Sequence, residues 1–355
     1  MNNNLKGLYI HIPFCQSKCD YCDFLSFANR EGDWETYIDR VVNELEPYGS
    51  GFLFDTIYIG GGTPTVLPAF LLKRLLDSLP PALPHAEITC EANPGTLDSG
   101  KISVLAAFGV NRISLGLQAW QDSLLKNIGR QTTTASFLEN YHALRNAGFN
   151  NINVDIMFAL PGQSPAHWEE TLLNVSALNP EHISAYALTL EENTPLWSKY
   201  GENICCEETD RKMYHYCKTF LQSRGYIQYE ISNFCKPGFE SRHNIRYWTR
   251  RPYFGIGHGA HSFDGSFRWC NDKKEPALIT KADAMAEFMF LGLRMTKGVS
   301  EKDFSSCFGF CPSDVYGSWI NKMIEEGLLR KNDGRIYLTG LGMDLANRVM
   351  AGFLE

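Results

Sequence analysis

The sequence predicts an α/β fold: a partial (β/α)6, TIM-like barrel followed by a small C-terminal α-rich domain in winged-helix order. Three observations lead there. Apolar runs rich in Ile, Val and Tyr alternate with helix-spaced apolar stripes, the pattern of βα units around a parallel sheet. No Gly-x-Gly-x-x-Gly follows the first strand, which removes the usual mark of a dinucleotide-binding sheet. The conspicuous polar residues fall at, or just after, the ends of several different strands, as on the top face of a barrel. Counted alone, six units are too few to close an eight-fold barrel and equally suit an open doubly wound sheet.

The elements follow in order. Strands are expected near Leu8–Ile12, Thr56–Ile59, Glu87–Glu91, Arg112–Leu117, Ile152–Phe158 and Ile183–Leu190. Between them Leu72, Leu75, Leu76 and Leu79, and then Phe137, Tyr141 and Leu144, each mark one apolar helix face turned to the core. From about residue 229 the pattern becomes aromatic and glycine-rich, ending in a polar loop near Asn271 to Pro276. Ser313 to Leu329, then Gly334 to Thr339, then another helical stretch have the order of a winged helix. The expected division is a barrel over 1–228, a connecting segment over 229–276 and a C-terminal domain over 277–355.

Composition bounds the function. The chain has 355 residues, 44% hydrophobic, with net charge −7 and 11 cysteines. That suits two or three domains with a large core and argues against nonspecific nucleic-acid binding. In the winged-helix-like region Lys322, Arg330, Lys331 and Arg335 are offset by Glu325, Glu326 and Asp333, so no nucleic-acid partner is expected. Met1 to Leu8 lacks the apolar core of a signal peptide, and no run nears the roughly 18 apolar residues of a membrane span. The expected location is the cytoplasm, where thiols stay reduced and free to bind metal.

Cys15, Cys19 and Cys22 form a C-x3-C-x2-C run directly after the first strand. Soft sulfur ligands select iron–sulfur clusters or zinc. Three thiolates on four irons leave one iron open to a ligand, whereas a structural zinc site wants a fourth residue from elsewhere. Three ordinary buried cysteines are the bland alternative. Cys90, Cys205, Cys206, Cys307 and Cys311 read as core or surface thiols; Cys235 and Cys270 flank the aromatic stretch.

With Tyr21 before its last cysteine, this run resembles the signature of the radical S-adenosylmethionine (SAM) superfamily. YIHIPFC, GGGTPT (Gly60 to Thr65), EANPGT (Glu91 to Thr96), RISLGLQ (Arg112 to Gln118), GRQ (Gly129 to Gln131) and DIMFALPGQ (Asp155 to Gln163) occur in fixed order. Together they resemble the branch holding the oxygen-independent coproporphyrinogen oxidase HemN and the heme chaperone HemW, over essentially the whole chain. The resemblance implies a barrel of the radical SAM type with a HemN-type C-terminal domain. It also implies a [4Fe–4S] cluster on Cys15, Cys19 and Cys22, with SAM chelating the fourth iron. SAM contacts carried over are Tyr9, Gly61, Gly62, Thr63, Glu91, Gln118, Arg130 and Asp155. Glycines let backbone approach a ligand, acidic and amide groups suit ammonium and ribose, and the Arg130 fork suits the methionine carboxylate.

Within the branch the sequence departs from the oxidase. The oxidase pattern has a cysteine where this chain has Phe24, and a longer extension than the fourteen residues that precede Cys15 here. HNIRYW, His243 to Trp248, matches the H-N-x-x-Y-W motif of the chaperone side. The resemblance makes His243 the heme-binding residue, a chemically sound axial ligand. Tyr247, Trp248, Tyr253 and Phe254 are expected to stack on the macrocycle, and Arg246, Arg250 and Arg251 to meet its propionates. His258 and His261 have only a weak H-x2-H offset for zinc.

The expected function is thus a heme chaperone that carries heme b as cargo and transfers it to apo-hemoproteins of respiration. Its other expected partner is an electron donor for the cluster. Peripheral membrane contact and a homodimer are left open. Coproporphyrinogen oxidase activity is not expected, and the alternative is a radical SAM enzyme that modifies a tetrapyrrole.

Overall fold

A computed structural model describes residues 5–201, 205–273 and 275–354. The six expected strands are present as β1 (Leu5–Ile12), β2 (Leu53–Gly61), β3 (Ala82–Ala92), β4 (Arg112–Gln118), β5 (Ile152–Phe158) and β6 (His182–Ala187). They pair in parallel, each beside the next in sequence. That order decides between the two candidate sheets, because a doubly wound sheet reverses direction part-way and this one does not. The sixth strand stops at Ala187, and Leu188 to Leu190 belong to the loop beyond it.

The barrel is partial. At one edge β7 (Asn233–Cys235) runs antiparallel to β6; at the other, β8 (Tyr253–Ile256) runs parallel to β1. Both flanking strands come from the aromatic, glycine-rich segment, which is built into the sheet. Between them the helix α7 (Arg242–Trp248) crosses to the starts of β2 and β3, as the contacts below show.

Helices α1 (Trp34–Leu45), α2 (Ala69–Asp77), α3 (Ser99–Ala107), α4 (Thr134–Asn146), α5 (Pro165–Ala177) and α6 (Glu207–Ser223) surround the sheet. Leu72, Leu75 and Leu76 of α2, and Phe137, Tyr141 and Leu144 of α4, are buried in one core with Ile57, Ile113 and Val154. Thr133 and Ser164 close capping boxes that start α4 and α5. Among the described residues no helix is long and apolar enough to cross a membrane.

The C-terminal module has its own core, including Met289, Phe304, Ile320, Met323 and Ile336. Helices α9 (Glu301–Phe308) and α10 (Pro312–Glu325) follow α8 (Lys281–Gly292). A hairpin of Leu329–Asn332 and Arg335–Leu338 joins Val299–Ser300 in a three-stranded sheet. The winged-helix order is therefore present.

The feature that positions the site is the strand alternation. On β4, Ile113, Leu115 and Leu117 enter the helix-covered core, while Arg112, Ser114, Gly116 and Gln118 line a cavity. On β5, Asn153, Asp155 and Met157 do the same. Closed barrels fill this space with branched apolar side chains. Here it is lined with polar groups.

Candidate functional site

Cys15, Cys19 and Cys22 lie in the loop after β1 and all reach a cavity of about 490 Å³. Backbone bonds fix that loop: Cys22 N–H donates to Cys19 O (3.1 Å), Asp20 N–H to Ile128 O (3.1 Å) and Phe27 N–H to Pro13 O (2.7 Å). His11 Nε2 bonds Leu25 O at 2.8 Å. All three thiols are free and partly exposed. Burial pushes the Cys15 and Cys22 thiols up, an unfavourable setting for thiolates unless a metal centre holds them.

The surroundings fit a cluster. Thr63 Oγ1 donates to Cys15 Sγ at 3.8 Å and Arg130 Nη1 to Cys19 Sγ at 3.9 Å, so two donors already address sulfur. A Cβ on Gly62 would lie 2.9 Å from Cys15 Sγ and 2.5 Å from Phe14 O, so only glycine leaves the first thiol its place.

Six of the eight residues carried over for SAM line the same cavity: Gly61, Gly62, Glu91, Gln118, Arg130 and Asp155. Glu91 accepts bonds from Tyr58 Oη (2.7 Å) and Gly61 N–H (3.0 Å). Burial, with Asp155 nearby, raises its carboxyl to about 7. Asp155 accepts from Ser114 Oγ (3.0 Å) and Asn153 Nδ2 (2.8 Å), and burial raises it as well. Gln118 sits in a sheet irregularity with φ of 74° and takes a bond from Tyr186 Oη at 3.1 Å. A non-glycine residue held in that region is sterically disfavoured, and such positions cluster at ligand sites.

Three of the eight depart from expectation. Arg130 does not present an open fork: Nη2 donates to Asn93 Oδ1 and to Gly116 O, both at 2.9 Å, and Nε to Thr132 Oγ1 at 3.4 Å. Its remaining edge faces Cys19, so it braces the cluster loop. Thr63 lies in a small adjoining recess and accepts from Asn93 Nδ2 at 2.7 Å. Tyr9 bonds His11 Nδ1 at 2.9 Å and does not line the cavity.

The largest departure concerns HNIRYW. His243 is 0% exposed, its Nδ1 bonded to Thr56 Oγ1 (2.9 Å) and its Nε2 to the Tyr247 hydroxyl (2.8 Å). Burial, then the charges of Arg246 and Arg112, push its pKa down to about 3, so the ring is neutral. Neither nitrogen is open, and the expected heme ligation by His243 does not fit this arrangement. Glu87 accepts the N–H groups of Arg242 (2.9 Å) and His243 (3.0 Å), which seats α7 against β3.

The neighbours also make contacts within the chain, although Trp248 Nε1, Arg250 Nη2 and Arg246 Nε are left unbonded. Arg246 is 2% exposed and ion-paired with Asp55. Arg250 pairs with Glu287 at 2.8 Å, and Arg294 lies over the Trp248 ring at 4.3 Å. Tyr247 meets Tyr253 edge-on at 4.7 Å. These side chains pack where the barrel closes between β8 and α7. His258 pairs with Asp272 at 2.8 Å and stacks on Phe27, steadying the cluster loop.

The comparisons with known proteins show the family. The radical SAM superfamily model matches residues 9–175, and the HemN C-terminal domain model residues 279–345. "Heme chaperone HemW" of Bacillus subtilis is 36% identical over 99% of this chain and 99% of its own length. The HemW of Escherichia coli is 33% identical over 98% of each. The chain belongs to the HemW family of radical SAM proteins. The solved coproporphyrinogen III oxidase HemN of Escherichia coli shares its fold, with a TM-score of 0.86 at 20% identity over 98% of this chain and 89% of that one.

In this HemW-family chain Phe24 is 64% exposed at the cavity mouth, where the oxidase pattern has a cysteine. Sequence reasoning missed several residues that line the cavity: Tyr58, Asn93, Ser114, Asn153, Tyr186 and Arg112. Arg112, Ser114 and Asn153 were legible in principle, as polar residues every second position on strands whose other face is apolar.

Proposed function

We propose that this chain is a heme carrier of the HemW family, working in the cytoplasm. Cys15, Cys19 and Cys22 would hold a [4Fe–4S] cluster. When bound, the cluster supplies an iron with an open coordination site for SAM. Glu91, Gln118 and Asp155 offer acceptors for the ammonium and hydroxyl groups of SAM, and Gly61 and Gly62 keep the entrance clear. Heme is cargo, passed on to apo-hemoproteins such as those of respiration.

The single observation that carries this reading is the convergence of the three thiols and the polar side chains of β2 to β6 on one cavity, with Phe24 at its mouth. Full-length similarity to proteins named heme chaperones supports the carrier over the oxidase. The test is anaerobic reconstitution of the full chain. It should give about four irons per chain, lost in Cys19→Ser, and the loaded protein with SAM should leave coproporphyrinogen III unchanged while binding heme. Conversion to protoporphyrinogen IX would establish the oxidase instead.

A further inference from the structure

Arg112 begins β4, six residues before Gln118, which places it about 20 Å along the strand from the cluster end. It is 2% exposed and lines the cavity. Its Nε has no hydrogen-bond partner, and among the described residues its guanidinium makes no hydrogen bond and no ion pair within 4 Å. The other two buried arginines have partners, Arg130 in Asn93 and Gly116 and Arg246 in Asp55, although the Arg246 Nε is unbonded too. A buried guanidinium with no hydrogen bond is costly, and its place on the cavity wall suits it to an anion held there.

The cavity wall near Arg112 is prepared in the same sense. Asn244, from the middle of HNIRYW, lines the cavity, and its side-chain amide is likewise unengaged among the described residues. His243 and Glu87 hold the helix that presents it. Arg112 is close enough to lower the pKa of His243, which places the guanidinium near that helix. Glu91 and Asp155 feel its charge but give it no hydrogen bond, their oxygens being taken by Tyr58, Gly61, Ser114 and Asn153.

We infer that Arg112 and Asn244 form a carboxylate receptor in this cavity, towards the start of β4, which takes a propionate of the bound tetrapyrrole. A planar guanidinium fork matches a carboxylate, and the amide adds a further donor. Asn244 belongs to the same motif as His243. The inference rests on the heme-carrier reading for the identity of the ligand alone.

The full chain is titrated with heme and with heme dimethyl ester, followed by Soret absorption; no variant is needed for this arm. Heme should bind at least tenfold more tightly than its ester. Arg112→Met should bring heme to the level of the ester, Arg112→Lys should recover part of the difference, and Asn244→Ala should reduce it. SAM affinity of the cluster-loaded Arg112→Met protein should stay within twofold. Equal binding of acid and ester by the unaltered chain overturns the receptor and leaves the carrier reading standing. Loss of SAM binding without loss of heme assigns Arg112 to the methionine carboxylate and also overturns it. If neither heme nor ester binds, both readings fail together.

Discussion

The Tyr58 hydroxyl donates to one oxygen of Glu91 at 2.7 Å while the Gly61 N–H holds the other at 3.0 Å. One pair thus links the strand before the glycine loop to the strand that follows it. Both bonds favour the carboxylate, yet burial outweighs them and leaves Glu91 near 7. A ligand ammonium would meet a group half-protonated at neutral pH.

The pH dependence of SAM binding follows. Below about pH 7 each unit of acid should weaken SAM about tenfold, and above it affinity should level off. Glu91→Gln should bind weakly with a flat profile. Equilibrium binding to the cluster-loaded chain between about pH 5.5 and 8.5 measures it, and an unbroken profile in the unaltered protein would remove Glu91 from the ammonium site. The folded pKa lies above the ordinary 4.5, so Glu91 costs the fold stability as pH rises from there to about 7. Glu91→Gln should gain on the parent over that window.

Gly62→Ala should lose the cluster and keep the fold. The added methyl would meet Phe14 O at 2.5 Å and Cys15 Sγ at 2.9 Å, so the thiol must move. Iron per chain after reconstitution should fall well below that of the parent, with far-ultraviolet circular dichroism unchanged. Full iron loading would show that the loop gives way freely.

Arg246 and Asp55 form a buried ion pair beneath the barrel. Asp55→Asn leaves the guanidinium its bonds to Leu5 O and Pro252 O but no counter-charge, and should cost about 3 kcal/mol, read by urea unfolding. A Cβ on Gly7 would come within 2.5 Å of Arg246 Cδ, so Gly7→Ala should destabilise through the same contact. A loss below about 1 kcal/mol for Asp55→Asn would mean that water reaches the pair.

His243→Gln should leave heme affinity within about threefold and the Soret spectrum unchanged, because both ring nitrogens are already bonded. It should cost stability, about 1–3 kcal/mol, by disturbing Thr56 and Tyr247. The folded pKa of His243 is far below the ordinary 6.5, so its contribution to stability is present above 6.5 and lost as pH falls towards 3. A tenfold loss of heme binding would show that the ring leaves Tyr247 to reach iron.

Much of this was legible in the sequence because periodicity reports burial. The six strands and the stripes of α2 and α4 were found from apolar spacing, and the cysteine run lies where it was expected, after β1. What the spacing could not reveal was where non-local partners sit. His243 and Thr56 are 187 residues apart, and only folding shows that the histidine is sealed. The Arg130 fork looked free because Asn93 and Gly116 are not its neighbours in sequence. The flanking strands β7 and β8 are short, three and four residues, and hidden among glycines and aromatics.

Heme transfer tests the central claim most directly. The full chain, loaded with heme and mixed with an excess of a heme-free apo-hemoprotein, should lose its Soret signature as the acceptor gains its own spectrum. The transfer should be faster than release of heme to a passive scavenger. Retention of heme, or transfer no faster than passive release, would contradict carriage and return the chain to the tetrapyrrole-modifying enzymes.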